Sequence, residues 1–515
     1  MAKDYRIYPG IGIARLGNSP DSFFLSPEIP DVGPIELGPD GNVQPVTLYK
    51  DSNHKLRRQG ARFRIYEVNT DAGGTEVFTE VIEGNGVQIE WSVELANEKA
   101  AAGFFVSETK PEDTANPRNP DASQADLIIR PIFPSITGVN QTVTASTDGK
   151  FKGTTVFLGE LRTDDKGRLI VLGGRGTSAS VPAGQPLGDG SQAPGHPPNT
   201  FANNWAWFDD VSDGPVTAVV RVSGQPDQPV SKSAWVIVAP PDYAPYTNGI
   251  TTLYDIAVQA ANLPPPVTPS FMKDIFPILK AVSGLQWVSS LPNWTAISTD
   301  YVQLSTPNNA AADQLRKDTL SFLNAIETTG ALQNYHFTAN QRTALNAWAN
   351  GNFVADFQAA PPAENLTPAG LDKASLTQAV GGGFFPGIEA GIRMTAPAMY
   401  SSPFRITDQS FVFAGVPQVP HAGFITRTMA CPWQSDFFEC AMQSVTAAWW
   451  PAQRPIDVFV DQNAQDQEAW IDSISSHQDL VDKFWMLGLV KKSASGAAEP
   501  LVEGERDAAV PHVSS

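Results

Sequence analysis

A run of prolines, Leu263-Pro264-Pro265-Pro266-Val267-Thr268-Pro269, divides the 515-residue chain into two unlike halves. Proline fixes φ and carries no N–H, so neither a helix nor a central strand continues through such a run. Before it, segments such as Arg62 to Val68, Val87 to Val93 and Thr217 to Val222 alternate apolar and polar residues or are β-branched, and turn residues separate them. After it, 270–282, 310–328 and 339–348 carry helical spacing, with Leu315, Leu320, Leu323 and Ile326 of the second on or near one face. Gln465 to Leu489 reads as a further helix. The expected fold class is therefore α+β: a β-rich N-terminal half over 1–265, with sandwich-like sheets that lend loops to a site, and a helix-containing, loop-rich half over 266–515 that carries the chemistry. Gly 41 and Pro 43, with only 17% charged residues, fit many irregular connections. Pro186 to Pro198 is expected as a surface loop overhanging a site, and Lys492 to Ser515 as a loosely packed tail.

Several classes are excluded early. Two cysteines, Cys431 and Cys440, cannot build a disulfide scaffold or a four-thiolate metal cage. Six scattered histidines show no metal-ligand spacing, so no metal is expected. A net charge of −19, from 35 basic and 54 acidic residues, disfavours nucleic acid. No run of about 18 apolar residues exists, so no membrane span is expected. The chain reads as soluble and cytoplasmic, with export by a non-classical route left open, and as a homo-oligomer.

Three constellations bear on chemistry. Gly10-Ile11-Gly12-Ile13-Ala14-Arg15 resembles a dinucleotide loop, but Arg15 stands where the third glycine belongs. Asp209, Asp210 and Asp213 are candidates for general acid/base work in an aromatic cleft, for a calcium-binding turn, or for a merely hydrogen-bonded turn. The densest region is Cys431-Pro432-Trp433-Gln434-Ser435-Asp436-Phe437-Phe438-Glu439-Cys440, followed by Trp449-Trp450-Pro451-Ala452-Gln453-Arg454. A carboxylate four residues before a cysteine shares its helix face, so Asp436 is placed to take a proton from Cys440 or from something bound beside it. The competing reading makes Cys440 a small buried hydrophobe, Asp436 a helix cap, and Trp449 and Trp450 core residues.

Tyr8 to Ser19, Lys55 to Arg64, Asp209 to Val216 and Pro432-Trp433-Gln434-x-Asp436-x-x-x-Cys440 together resemble the LodA/GoxA-like family of amino-acid oxidases that carry a cysteine tryptophylquinone (CTQ). The resemblance runs from Tyr8 to near Leu489, and it makes the N-terminal glycines turn residues rather than a nucleotide loop. It implies a thioether between Cys440 and Trp450, with Trp450 as the quinone, and Asp436 as the essential base. It further implies oxidative deamination of an amino acid or other primary amine through a Schiff base. Dioxygen is consumed, and an aldehyde or keto acid, ammonia and hydrogen peroxide are formed. A flavin-dependent modifying enzyme would mature the cofactor. Trp207, Phe208, His421 and Trp449 are pocket-wall candidates. Two departures stand out: Cys431 occupies a small apolar position and is expected to pack as one, and Gly423-Phe424-Ile425 lacks the family's aspartate. In a straight helix Cys440 and Trp450 would lie about 15 Å apart, so the chain between them must double back, with a turn expected around Ser444 to Ala447. An unmodified binding protein and a carboxylate-dependent hydrolase remain the alternatives.

Overall fold

The structure is a computed structural model in which residues 3–38, 42–107, 109–290, 294, 297–328, 337–359, 365–381, 386–413, 415–442, 453–461, 463, 466–492 and 501–513 are described. It is mixed, with a large β-sheet in the N-terminal half and helices concentrated after it. Ten strands matter here: β1 (Asp4–Tyr8), β2 (Ile11–Arg15), β3 (Arg58–Thr70), β4 (Val87–Val93), β5 (Ile136–Thr137), β6 (Thr142–Thr144), β7 (Gly159–Thr163), β8 (Leu169–Gly173), β9 (Ser212–Val222) and β10 (Ala234–Ala239). Nine of them run in the order β5-β4-β9-β10-β2-β3-β8-β7-β6, and β1 pairs with β3 off this path. Only the β2–β10 pairing on this path is parallel. The three segments whose alternation predicts strands all fall within β3, β4 and β9.

Strand β3, at 13 residues, joins ladders that would otherwise be separate. Its C-terminal part pairs with β1, its middle with β8, and Gln59 with Arg15 of β2. The strands thus form one continuous hydrogen-bonded sheet, and its apolar faces merge with the helices in one core that runs from Tyr5 to Val510.

The helices are α1 (Leu253–Ala260), α2 (Phe276–Gly284), α3 (Ala310–Thr328), α4 (Ala339–Ala349), α5 (Pro368–Thr377), α6 (Trp433–Met442) and α7 (His477–Lys483). Capping boxes start two of them, Thr252 with Asp255 on α1 and Thr338 with Gln341 on α4. Helix α5 docks on β2, where Asp372 accepts from the Gly10 N–H at 2.6 Å and Ser375 donates to the Ile11 carbonyl at 2.8 Å.

Three expectations are corrected. The stretch 465–489 is not one helix: only His477–Lys483 is α-helical. Ser473 takes a left-handed φ of 65°, which a helix does not allow. Ser476 then caps α7 through the Asp479 N–H. The apolar spacing there reflects two buried groups, Trp470 to Ile474 and Leu480 to Phe484, on either side of a break. The tail is not loose over 501–513 either. β12 (Leu501–Gly504) pairs with β11 (Leu489–Lys492), the Glu505 carboxylate accepts from the Tyr49 and Lys50 N–H groups, and Val510 is buried.

The third concerns Gly12, which lies inside β2 rather than in a turn. A Cβ there would meet the Phe63 ring at 2.5 Å. Phe63 is fully buried and has nowhere to swing. Gly12→Ala is therefore expected to destabilise by about 1–3 kcal/mol through overpacking, read as a lower melting temperature. An unchanged melting point would mean that the Phe63 contact relaxes freely.

Candidate active site

Helix α6 starts after Pro432 and buries nearly everything in its first turns. Its seat is made by carboxylates from the segment that follows Phe208 and runs into the start of β9. Asp209, fully buried, accepts from the backbone N–H of Trp433 at 3.0 Å, from Asn97 Nδ2 at 2.8 Å and from the Lys99 ammonium. An anion at a helix N-terminus is favoured by the exposed N–H groups and the dipole. Asp213 accepts from Thr426 N at 2.8 Å, Thr426 Oγ1 at 2.7 Å, Trp235 Nε1 at 2.9 Å and Ile425 N at 3.2 Å. It thereby pins the segment that leads into α6. Burial pushes its carboxyl up to about 6, with the four donors opposing. These aspartates are internal anchors, both fully buried, and no cluster of metal-binding side chains occurs among the described residues.

Asp210 differs from both. It accepts from Thr177 N at 2.9 Å, its other oxygen has no partner, and burial pushes it up to about 7. The folded value lies above the ordinary 3.8, so the stability it contributes is complete below about 3.8 and is lost as pH rises through about 7. Asp210→Asn cannot ionise. Urea unfolding between pH 4 and pH 8 is expected to show a smaller stability loss in this variant than in the parent, and coincident slopes would refute the assignment.

On α6 itself, Gln434 accepts from Ser178 Oγ at 2.7 Å, and Ser435 Oγ lies 3.0 Å from His477 Nδ1. Asp436, 5% exposed, has its carboxylate 3.9 Å from Arg454 Nη1, which also donates to the Asp436 carbonyl at 3.3 Å. The Arg454 guanidinium lies over the Phe437 ring at 5.0 Å. His477 Nε2 faces Glu439 at 3.5 Å, and the imidazole packs on Phe438 at 4.6 Å. Burial lowers its pKa, which keeps the ring neutral at pH 7. The backbone of Cys440 lies on α6, one turn beyond Asp436. Its side chain, Trp449, Trp450 and the turn expected at Ser444 to Ala447 lie outside the described residues.

The return of the chain is nevertheless fixed from the far side. Asp436 and Arg454 are 18 residues apart and touch, whereas a continuous helix would separate them by about 27 Å. Gln453 and Arg454 therefore belong to a segment distinct from α6, and Arg454 lies beside the first turns of that helix.

The other candidates are placed as follows. Trp207 is buried with Leu187 and Val481, and its indole donates to the Pro186 carbonyl at 3.0 Å. Phe208 packs on Phe151 inside the core. His421 is half-exposed and bonds Glu98 at 3.2 Å, which raises its pKa. Cys431 is fully buried, its thiol is pushed up to about 12 by desolvation, and it donates to the Trp207 carbonyl at 3.3 Å. The loop 186–198 does reach this region: a Cβ on Gly188 would meet the His477 ring at 2.4 Å. Phe424 lies where the family's aspartate was expected, and Arg393 stacks over its ring at 4.4 Å. His477, Glu439 and Arg454 were not singled out from sequence. Arg454, three residues past Pro451, was the one with a local signal.

Sheet and site together define a mixed scaffold in which a buried helix carries an Asp-x-x-x-Cys spacing, with Arg454, four residues after Trp450, against its first turns. The chain belongs to the L-lysine ε-oxidase (LodA) family: its N-terminal family model matches residues 8–238 and its C-terminal family model residues 325–459. An L-lysine 6-oxidase of Marinomonas mediterranea is 28% identical over 85% of this chain and 71% of its own length. The crystal structure of the Schiff base intermediate of L-Lys ε-oxidase from that organism with L-Lys superposes with a TM-score of 0.77 at 23% identity, covering 98% of this chain and 95% of that one. A second structure of that ε-lysine oxidase gives 0.77 at 22% identity over the same shares. No helix among the described residues is long and apolar enough to cross a membrane.

Proposed function

We propose that the protein is an amino-acid oxidase whose cofactor is a cysteine tryptophylquinone made from Cys440 and Trp450. The reaction would convert the primary amine of an amino acid, with water and dioxygen, to a carbonyl product, ammonia and hydrogen peroxide. The observation that carries this reading is the contact of Arg454 with Asp436, which brings the chain four residues after Trp450 back to the helix that bears Cys440. Four residues span at most about 14 Å, so a thioether between the two side chains is within reach. The donor set fits as well: a cysteine one helical turn from a buried carboxylate, beside a fully buried guanidinium.

When formed, the quinone would supply a carbonyl electrophile and an electron sink. The chain's own residues would do the rest. Asp436 would take the proton from the carbon bearing the amine, as general base. Arg454 would hold that carboxylate against the first turns of α6. Phe437, Phe438 and Trp433 would keep bulk water from the α6 face. His477, neutral and bonded to Ser435, would brace the same helix from its other side.

Intact mass tests this on protein co-produced with a flavin-dependent modifying enzyme. The Cys440–Trp450 peptide should gain two oxygens and lose four hydrogens, and a screen across amino acids, L-lysine first, should release peroxide. An unmodified peptide from such protein would overturn the reading and favour a silent binding protein.

A further inference from the structure

A second cavity, of about 360 Å³, lies away from α6 and contributes no residue to it. That volume falls in the range of small-molecule sites. Its walls are the loop 31–34, the loop 245–248, the face of α2 around Lys280 and Ala281, Trp287, the end of α5 and the β11–β12 hairpin. Two lining side chains carry unsatisfied polar atoms: Gln378 Oε1, in a residue 9% exposed, and Thr247 Oγ1, in one 3% exposed. Buried polar atoms are almost always paired, so two orphans on one cavity signal a missing partner.

Gln378 cannot turn away to find one. Its Nε2 donates to the Pro245 carbonyl at 3.2 Å, and its own carbonyl accepts from Arg15 Nη2 at 2.8 Å and Gln453 Nε2 at 2.9 Å. The side-chain oxygen is therefore held as an acceptor, and its partner must be an N–H or O–H donor. The rim has the opposite character. Lys280 and Lys492 are exposed there, with Lys492 lying over the Tyr246 ring at 4.8 Å, and among the described lining residues Asp31 is the one acidic side chain. Two cations against one carboxylate make a locally positive mouth on a chain of net charge −19. Between floor and rim the surface is apolar, made by Tyr246, Trp287 and prolines.

We propose that this cavity is a second, non-catalytic site for a free α-amino acid. An amino group of the ligand donates to Gln378 Oε1 and Thr247 Oγ1 at the floor and its carboxylate faces Lys280 and Lys492 at the mouth, so the ligand that fits best is one such as L-lysine, whose side-chain amine reaches the floor while its carbon chain crosses the apolar belt. The site does not depend on the quinone. It sits one hydrogen bond from Gln453, the neighbour of Arg454, whose side-chain amide donates to the Gln378 backbone carbonyl.

The test uses the full chain carrying Cys440→Ser, which cannot form the thioether, and measures binding of L-lysine, glycine and L-glutamate by titration calorimetry. At least one should bind, and its affinity should fall about tenfold or more with Gln378→Leu at the floor and with Lys280→Glu at the surface. Lys280→Glu keeps the test sound if the buried substitution disturbs folding. No binding by any of the three, or binding that both substitutions leave unchanged, overturns the proposal. Neither result touches the cofactor reading, which the intact mass decides by itself.

Discussion

Protein carrying Asp436→Asn is expected to release peroxide about 10²- to 10⁴-fold more slowly than the parent, the usual loss when a positioned general base is removed. Asparagine matches the carboxylate in volume and keeps the α6 backbone, so the Arg454 hydrogen bond to the residue 436 carbonyl survives. What disappears is the capacity to accept a proton. The rate must be expressed per matured chain, so intact mass and peroxide release should be measured on the same preparation. A matured variant turning over at the parent rate would assign the base to another group.

Asp209→Ala should be the most destabilising single change in the site, at about 3–5 kcal/mol, because it leaves a buried ammonium without its counter-charge. Lys99 is fully buried, and Asn97 Nδ2 and the Trp433 N–H would lose their acceptor together with it. The effect should reach beyond stability. With α6 unseated at its first residue, Asp436 and Cys440 would no longer be held in register with the returning chain, and the modified fraction in intact mass should drop. Chemical denaturation of the unmodified protein separates the two effects. A variant with parental stability would show that Asp209 is not the seat of the helix.

Much of the fold was legible because its signals are local. Alternation in Arg62 to Val68 and Val87 to Val93 follows the two-residue period of a strand, and the spacing in 310–328 and 339–348 follows the helical one. The Asp436 to Cys440 spacing is legible for the same reason. The misreadings share a cause as well. Apolar residues from Trp470 to Phe484 are buried on both sides of a break at Ser473, and periodicity alone runs straight through it. The strand placement of Gly12 is decided by Phe63, 51 residues away in sequence, which no local pattern reports. The roles of Asp209 and Asp213 are likewise set by partners more than 200 residues later. From sequence they remained one option among three.

Those same two carboxylates tie the first half of the chain to the second. The N-terminal half leaves the ribosome first, and domains tend to fold as they emerge. Until Thr426 and Trp433 have emerged, Asp209 and Asp213 lack the backbone N–H donors that they accept from in the folded chain. A C-terminal fragment beginning after the proline run would bring the Asp-x-x-x-Cys helix without the acceptors that receive its first N–H groups. An enzyme that oxygenated Trp450 would act on a chain whose Asp-x-x-x-Cys helix is seated by carboxylates of the first half, so the C-terminal half expressed alone would lack that seat.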